Sequence, residues 1–538
     1  MKFPALVVLA PALLAAGACS RCGCSQPRLR AELSRFVPRS AEAVVFVPDA
    51  ARLGQKISSL QELKAAGFAA QLQGLGSGKE LVDTLMGQIG VDLRSREGLL
   101  RAGVAPEGGM AFVSLPGNRA YSVLAVRDAG RLKAAVARLA RDRLGAGEVS
   151  TREDQGLEVT TFSRGGAAAA AMVLAGGVAL VGPGDMAQSL PGLARLAEAD
   201  SLSKDAAFAR ASARLSGSPD AVAYVPEGSA RQLAGAVASV ELADDAIRFS
   251  ADVPWPKTSP LVEVPWPDAQ QALKALAFQR GAASPYALLP DDAFLVARYG
   301  GDPDALAFLW PLLAGPRGAS ALKEAGLDIQ AVLSNLKPGA VVGVSLASTF
   351  SFSGGVPSLD VRRSNPFRIV HVVAAAQLDD AGRAQAVLDA LPALAPKVGA
   401  QVAATDAGGH RVYQTTYRMG EGLDFALSGD TLVAGAPLAR LQDALARAQG
   451  ERRPGPLAEP ALRQALEKEA LGFALDLHRL ADSVAALPDS AWGTGGFAMK
   501  PTTLRWFQAT SDLRAVTGTV SARDGAVHAE VTLRIQRE

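Results

Sequence analysis

Short apolar runs separated by turn residues dominate the first part of the chain. Ala43–Val47 (AVVFV), Met110–Leu115 (MAFVSL) and Tyr121–Val126 (YSVLAV) are rich in β-branched and aromatic residues at strand length. After the third run the period lengthens: Leu132, Ala135, Val136 and Leu139 recur at helical spacing, with Arg138 and Arg141 off that face. Asp128 stands where the helix opens and is a favoured N-cap residue. Ala167–Gly182 (AAAAAMVLAGGVALVG) is apolar except for Gly176-Gly177 at its middle, and a glycine pair accepts the positive φ of a two-residue turn, so it predicts a β-hairpin. Strands joined by short turns and interrupted by amphipathic helices predict an α+β fold with largely antiparallel sheets.

The pattern then occurs a second time. Asp128–Arg131 returns as Asp380–Arg383, and the second helix places Val387, Leu388, Leu391 and Leu394 on its apolar face. The same offset carries Pro38 onto Pro290, Gly177 onto Gly429 and Leu180-Val181 onto Leu432-Val433. Between the copies lies VPWPKTSPLVEVPWP, Val253–Pro267, whose prolines remove backbone donors and whose Trp255 and Trp266 are suited to pinning a linker onto its neighbours. The expected organisation is a leader at 1–18, an Arg-rich tether at 19–35, a first α+β repeat at 36–253, a Pro/Trp linker at 254–283, and a second repeat at 284–538. The closing strands differ in offset, which places an insertion near 492–514 of the second copy.

The N-terminus is an address. Lys2 precedes an apolar stretch at 3–18 that spans roughly 24 Å as a helix, short of a bilayer core of about 30 Å, as expected of a signal peptide. All three cysteines, Cys19, Cys22 and Cys24, follow at once. Ala16-Gly17-Ala18 is a site for ordinary signal peptidase. The same bond, with a cysteine after it, resembles the lipobox of bacterial lipoproteins, although Ala16 stands where that family usually has leucine. The resemblance implies lipidation of Cys19 and an acyl anchor in the envelope membrane, outer or inner. Ordinary cleavage, giving a soluble periplasmic or secreted chain, is the alternative. With Cys19 acylated, only Cys22 and Cys24 remain, to form a small strained disulfide or stay an incidental pair. The five arginines Arg21, Arg28, Arg30, Arg35 and Arg39 either add attraction to anionic head groups or make a solvated spacer.

Composition removes whole classes of function. With 55 basic and 53 acidic residues the net charge is +2, and no concentrated basic field invites nucleic acid. Beyond Cys24 there is no cysteine, and His371, His410, His478 and His528 are too scattered for a zinc motif. GLGSGKE, Gly74–Glu80, lacks the first glycine and the Ser/Thr of a phosphate loop and is expected to join two helices. GVSLA, Gly343–Ala347, approximates a hydrolase elbow with Ser345 as nucleophile, yet Ala347 replaces the second glycine and FVSLP in the first copy sets Ser114 at the matching place. The aspartates of LPDDAF and GDPDAL lack calcium-loop spacing and are expected in turns and caps. No metal, cofactor or catalytic residue is assigned on this basis.

The order of elements, the P-x-x-A-x-x-V opening and the strand-to-helix step LVAGAPLARLQDAL resemble an uncharacterised family of bacterial envelope (lipo)proteins with a tandemly repeated domain of unknown function. That resemblance implies export and repeat architecture over most of 36–538, and transfers no site residue. The expected role is non-catalytic binding or scaffolding, with an apolar ligand or an envelope protein as partner. Two alternatives are a carrier of an apolar ligand or lipid in a cleft between the repeats, and a serine hydrolase using Ser345.

Overall fold

The computed structural model describes residues 31–536, except 90–91, 93, 216, 228, 230–232, 256–268, 280, 282, 306–323, 325, 327–328, 348–366, 368, 418–419, 452–459 and 493–495. The leader, Cys19, Cys22, Cys24, most of the tether and Trp266 lie outside the described residues. The chain divides into two compact units, one comprising Met1–Pro254 with Ile535–Glu538 and the other Trp255–Arg534. Each is α+β and built on antiparallel pairing. Among the described residues, no helix is long and apolar enough to cross a membrane.

Among the described residues the first unit has ten strands: β1 (Ala43–Val47), β2 (Met110–Leu115), β3 (Arg119–Ala125), β4 (Glu148–Asp154), β5 (Leu157–Arg164), β6 (Ala167–Ala175), β7 (Val178–Pro183), β8 (Ala221–Tyr224), β9 (Val237–Ala243) and β10 (Ala246–Pro254). Their spatial order is β10-β9-β8-β1-β2-β3-β7-β6-β5-β4. The hairpin expected at Ala167–Gly182 is β6 and β7, and Gly176 and Gly177 have φ of 53° and 84°. Strand alternation sends Val44, Phe46, Val113 and Val123 into one core. That core is closed by Leu190 and Phe208, from the helices Leu190–Ala194 and Ala206–Ala213, and by Leu33 and Val37. Leu33 sits within this core, so the folded body begins inside the segment expected to be tether. The helix Ala129–Leu144 opens as expected, with the Asp128 carboxylate accepting the Arg131 N–H at 3.0 Å. GLGSGKE joins Lys64–Leu72 to the helix beginning at Gly78.

One buried charge cluster fastens this unit's helix Ala50–Leu60. Lys56 Nζ donates to Asp220 Oδ2 at 2.6 Å, Arg52 Nε lies 3.0 Å from Asp220 Oδ1, and the Leu242 N–H reaches Oδ2 at 2.8 Å. Asp220 is 1% exposed and Lys56 7%, so each charge depends on the other in a low-dielectric setting.

The second unit contains β11 (Leu295–Tyr299), β12 (Ala340–Leu346), β13 (Val370–Gln377), β14 (Ala400–Ala407), β15 (His410–Tyr417), β16 (Gly420–Glu421), β17 (Asp424–Ser428), β18 (Thr431–Ala436), β19 (Leu471–Asp476), β20 (Leu513–Arg523) and β21 (Ala526–Ile535). Pairing runs β20-β19-β11-β12-β13-β18-β17-β15-β14, with β16 beside β15. Its core gathers Val296, Val341, Val373 and Val433 beneath Leu441 and Leu445 of the helix Leu438–Ala448. Asp380 caps Ala381–Leu394 through the Arg383 N–H at 3.0 Å. Gly496–Ala509, inside the expected insertion, follows a separate small core of Val484, Leu487, Ala491 and Trp492. Among the described pairings β4 touches β5 alone and β14 touches β15 alone, so each ends its sheet.

Candidate functional site

Chemistry-bearing side chains of the second unit gather where the chain enters β11. The Ala293 N–H bonds to Pro290 O at 3.2 Å and the Phe294 N–H to Val344 O at 3.0 Å, which leaves Asp291 and Asp292 on the turn between. Opposite them, β18 leads into the helix Leu438–Ala448. Gly435 permits its close approach, since a Cβ there would lie 2.7 Å from the Leu441 nitrogen. Arg440 on the first turn grips Asp292 with two bonds, Nη1 to Oδ1 at 2.9 Å and Nη2 to Oδ2 at 2.6 Å. Arg447 Nη1 reaches Asp291 Oδ1 at 2.7 Å, and Arg479 Nη1 reaches the Asp291 carbonyl at 2.7 Å. The turn role expected for these aspartates is met, and each has a second role that the sequence did not show. Both are ion-pair partners of arginines that are remote in sequence, while Asp302 does accept the Asp304 N–H at 3.1 Å.

Ser345 has a histidine neighbour that no sequence motif marked. β12 and β13 pair with Ser345 directly opposite His371, so the two side chains share a face. Arg440 Nε also donates to His371 Nδ1 at 3.2 Å. Arginine can only donate, so Nδ1 is the acceptor and the neutral ring carries its proton on Nε2. A general base for serine needs the reverse arrangement, Nδ1–H held by a carboxylate and Nε2 bare. Ser345 is fully buried and its Oγ has no hydrogen-bond partner. Burial is the larger cause that pushes the His371 pKa down, the Arg440 charge adds to it, and Asp292 opposes both.

The expected match of Ser114 with Ser345 is corrected by register. Ser114 lies opposite Ala43, the first residue of β1, whereas Val344 lies opposite Leu295, the first residue of β11. Ser345 is one step further along and faces the other side. Its positional counterpart is Leu115, and the shared V-S-L letters conceal a one-residue slip.

The first unit has an open recess of about 390 Å³ at the outer end of β2 and β3. Leu115, Pro116, Leu193 and Leu196 form its apolar wall, and Pro38, Ser40, Ser189 and Arg119 complete the rim. The opening segment is held by the Arg35 guanidinium on Leu196 O, by Tyr121 Oη on Phe36 O at 2.6 Å, and by Arg39 Nη2 on Lys204 O at 2.8 Å. Arg35 and Arg39, expected to face lipid or solvent in a tether, are instead committed to this unit. Arg119 Nε donates to Pro116 O at 3.2 Å, and its guanidinium has no carboxylate partner among the described residues. No sequence motif pointed to Arg119, Ser40 or Ser189.

The other histidines are occupied. Arg514 Nη1 donates to His478 Nδ1 at 2.8 Å, and His478 Nε2 meets Ser511 O at 3.0 Å. His410 lies between Leu427 O and Gln449, and His528 is buried. Among the described residues, no group of three His, Cys, Asp or Glu side chains is placed to hold a metal ion.

No protein-family model and no curated protein sequence matches the chain. Two crystal structures resemble it in part. Crystal form I of TP0453 has 10% identity and a TM-score of 0.24, covering 48% of this chain and 81% of that one. Crystal form III has 9% identity and a TM-score of 0.26, covering 46% and 79%. Likeness at this level carries no argument about fold or function.

Proposed function

We propose that the chain is an exported bacterial envelope protein, anchored by lipid at Cys19 and facing the periplasm, whose body binds or scaffolds without catalysis. The body is read as two copies of one unit. Support comes from strand order: β1, β2, β3, β7, β6, β5, β4 with β8 and β9 in the first unit answer to β11, β12, β13, β18, β17, β15, β14 with β19 and β20 in the second. The paired caps Asp128 and Asp380 fall at corresponding steps of that order.

The observation that carries the non-catalytic half is the state of Ser345, which is buried beside an imidazole in the wrong tautomer, while the open recess in the first unit has serine hydroxyls in its lining with no histidine or carboxylate there to act as base. Detergent phase partition of the parent and of Cys19→Ser tests the anchor. The parent is expected in the detergent phase and the variant in the aqueous phase. Finding both in the aqueous phase would replace lipidation by ordinary cleavage after Ala18.

A further inference from the structure

We propose that the recess of the first unit is a binding site for an alkyl carboxylate, with the chain against Leu115, Leu193 and Leu196 and the head group on Arg119. This deepens the binding half of the preceding reading and rests on it, but does not depend on the anchor.

Three observations carry the assignment. The first is the lining itself. Its wall is largely aliphatic, and Arg119 is the charged residue on it, so the site is apolar on one side and cationic at one point. An amphiphile with one negative charge complements both features. The recess measures about 390 Å³ and is open to solvent, so it seats part of an alkyl chain against its wall and leaves the charged end at the rim. The second is valence. Arg119 spends Nε on Pro116 O, and the hydroxyls of Ser40 and Ser189 make no hydrogen bond to protein among the described residues. Donors therefore stand unused at the rim of an apolar wall.

The third comes from the same corner of the other unit. Ser40 stands three residues before β1, and Asp292 three residues before β11. Leu115 pairs with Arg119 across β2 and β3, and Ser345 with His371 across β12 and β13. Register therefore matches Ser40 with Asp292, Leu115 with Ser345 and Arg119 with His371. In the second unit this corner holds a carboxylate, Asp292, gripped by the guanidinium of Arg440, which also bonds His371. The unit thus accommodates a carboxylate–guanidinium pair here. The second unit supplies both partners from its own chain, whereas the first supplies the guanidinium and leaves the carboxylate to a ligand.

The test is calorimetric titration of the mature-length chain carrying Cys19→Ser, so that the result is independent of acylation. Decanoate below its micelle threshold is the probe, with decanol and decyltrimethylammonium as controls. The parent is expected to bind decanoate and to bind decanol at least tenfold more weakly, as for loss of one charge-assisted hydrogen bond. Arg119→Gln should weaken decanoate about tenfold and leave decanol unchanged. Gly192, where a Cβ would meet open space, lines the recess, so Gly192→Phe should fill it and abolish binding without unfolding the protein. Circular dichroism and melting of each variant confirm that the fold is retained. Absence of decanoate binding, equal affinity for decanol, indifference to Arg119→Gln, or full binding by Gly192→Phe would each overturn the assignment. None of those results would bear on whether Cys19 is acylated.

Discussion

Ser345 and Leu115 hold corresponding places on their strands, and a hydroxyl at the first costs more than it returns. Its Oγ is buried without a partner, so it has lost water and gained nothing. Ser345→Ala should leave stability unchanged or raise it by up to about 1 kcal/mol in urea denaturation, and a loss of 2 kcal/mol or more would reveal a hydrogen bond to Oγ. His371 makes a complementary prediction in pH. Its folded pKa is depressed, so as pH falls the unfolded chain takes the proton first. The stability it contributes is whole above the ordinary imidazole range and declines as pH drops through that range toward the lower folded value. Glutamine accepts from Arg440 at every pH, so His371→Gln should show a smaller drop in melting temperature between about pH 7.5 and about pH 5.5 than the parent. Equal drops would mean that this residue plays no part in acid sensitivity.

At the level of elements, a helix is fixed first by its own ends and then by what it fastens to. Asp128 and Asp380 were legible as caps because a cap is local: one side chain, one N–H, three residues apart. The Gly176-Gly177 hairpin was legible for the same reason. What fastens the helices was not. Asp220 lies 164 residues from Lys56, and Asp292 lies 148 from Arg440, so neither pair leaves a mark in any window of sequence. Register failed for a related reason. Alternation shows that β2 and β12 are strands but does not say which residue of the neighbour each one faces, and identical letters at Ser114 and Ser345 aligned them one step out. The Asp220 cluster predicts an asymmetry between its partners. Asp220→Ala strands the buried Lys56 charge and should cost roughly 3–5 kcal/mol in denaturant unfolding. Lys56→Met keeps the aliphatic stem and leaves Asp220 with Arg52 and the Leu242 N–H, and should cost less than half as much. The reverse order would show that packing of the lysine stem, not charge, holds the helix.

Across the whole molecule the histidines are distributed unevenly: all four belong to the second unit and none to the first. Two of them, His371 and His478, accept from arginines, and at His371 a ring proton would set donor against donor. The recess in the first unit is assembled from residues 38–40, 115–119 and 189–196, three separated stretches, and it became visible only when the strands were set in order. A second unevenness lies at the two sheet edges. β4, EVSTRED, is exposed over nearly its whole length and carries four charges on seven residues, whereas β14, AQVAATDA, carries Asp406 alone on eight. A strand with an open ladder of N–H and C=O groups recruits a like strand unless charge forbids it. Concentrated solutions of this protein should therefore self-associate through β14 before β4. Ala404→Lys, at an exposed position on that strand, should raise the concentration at which light scattering first increases, and a lysine without effect would place the weak point elsewhere. In any crowded setting, the same bare ladder would set how densely neighbouring molecules can stand before they begin to add strands to one another.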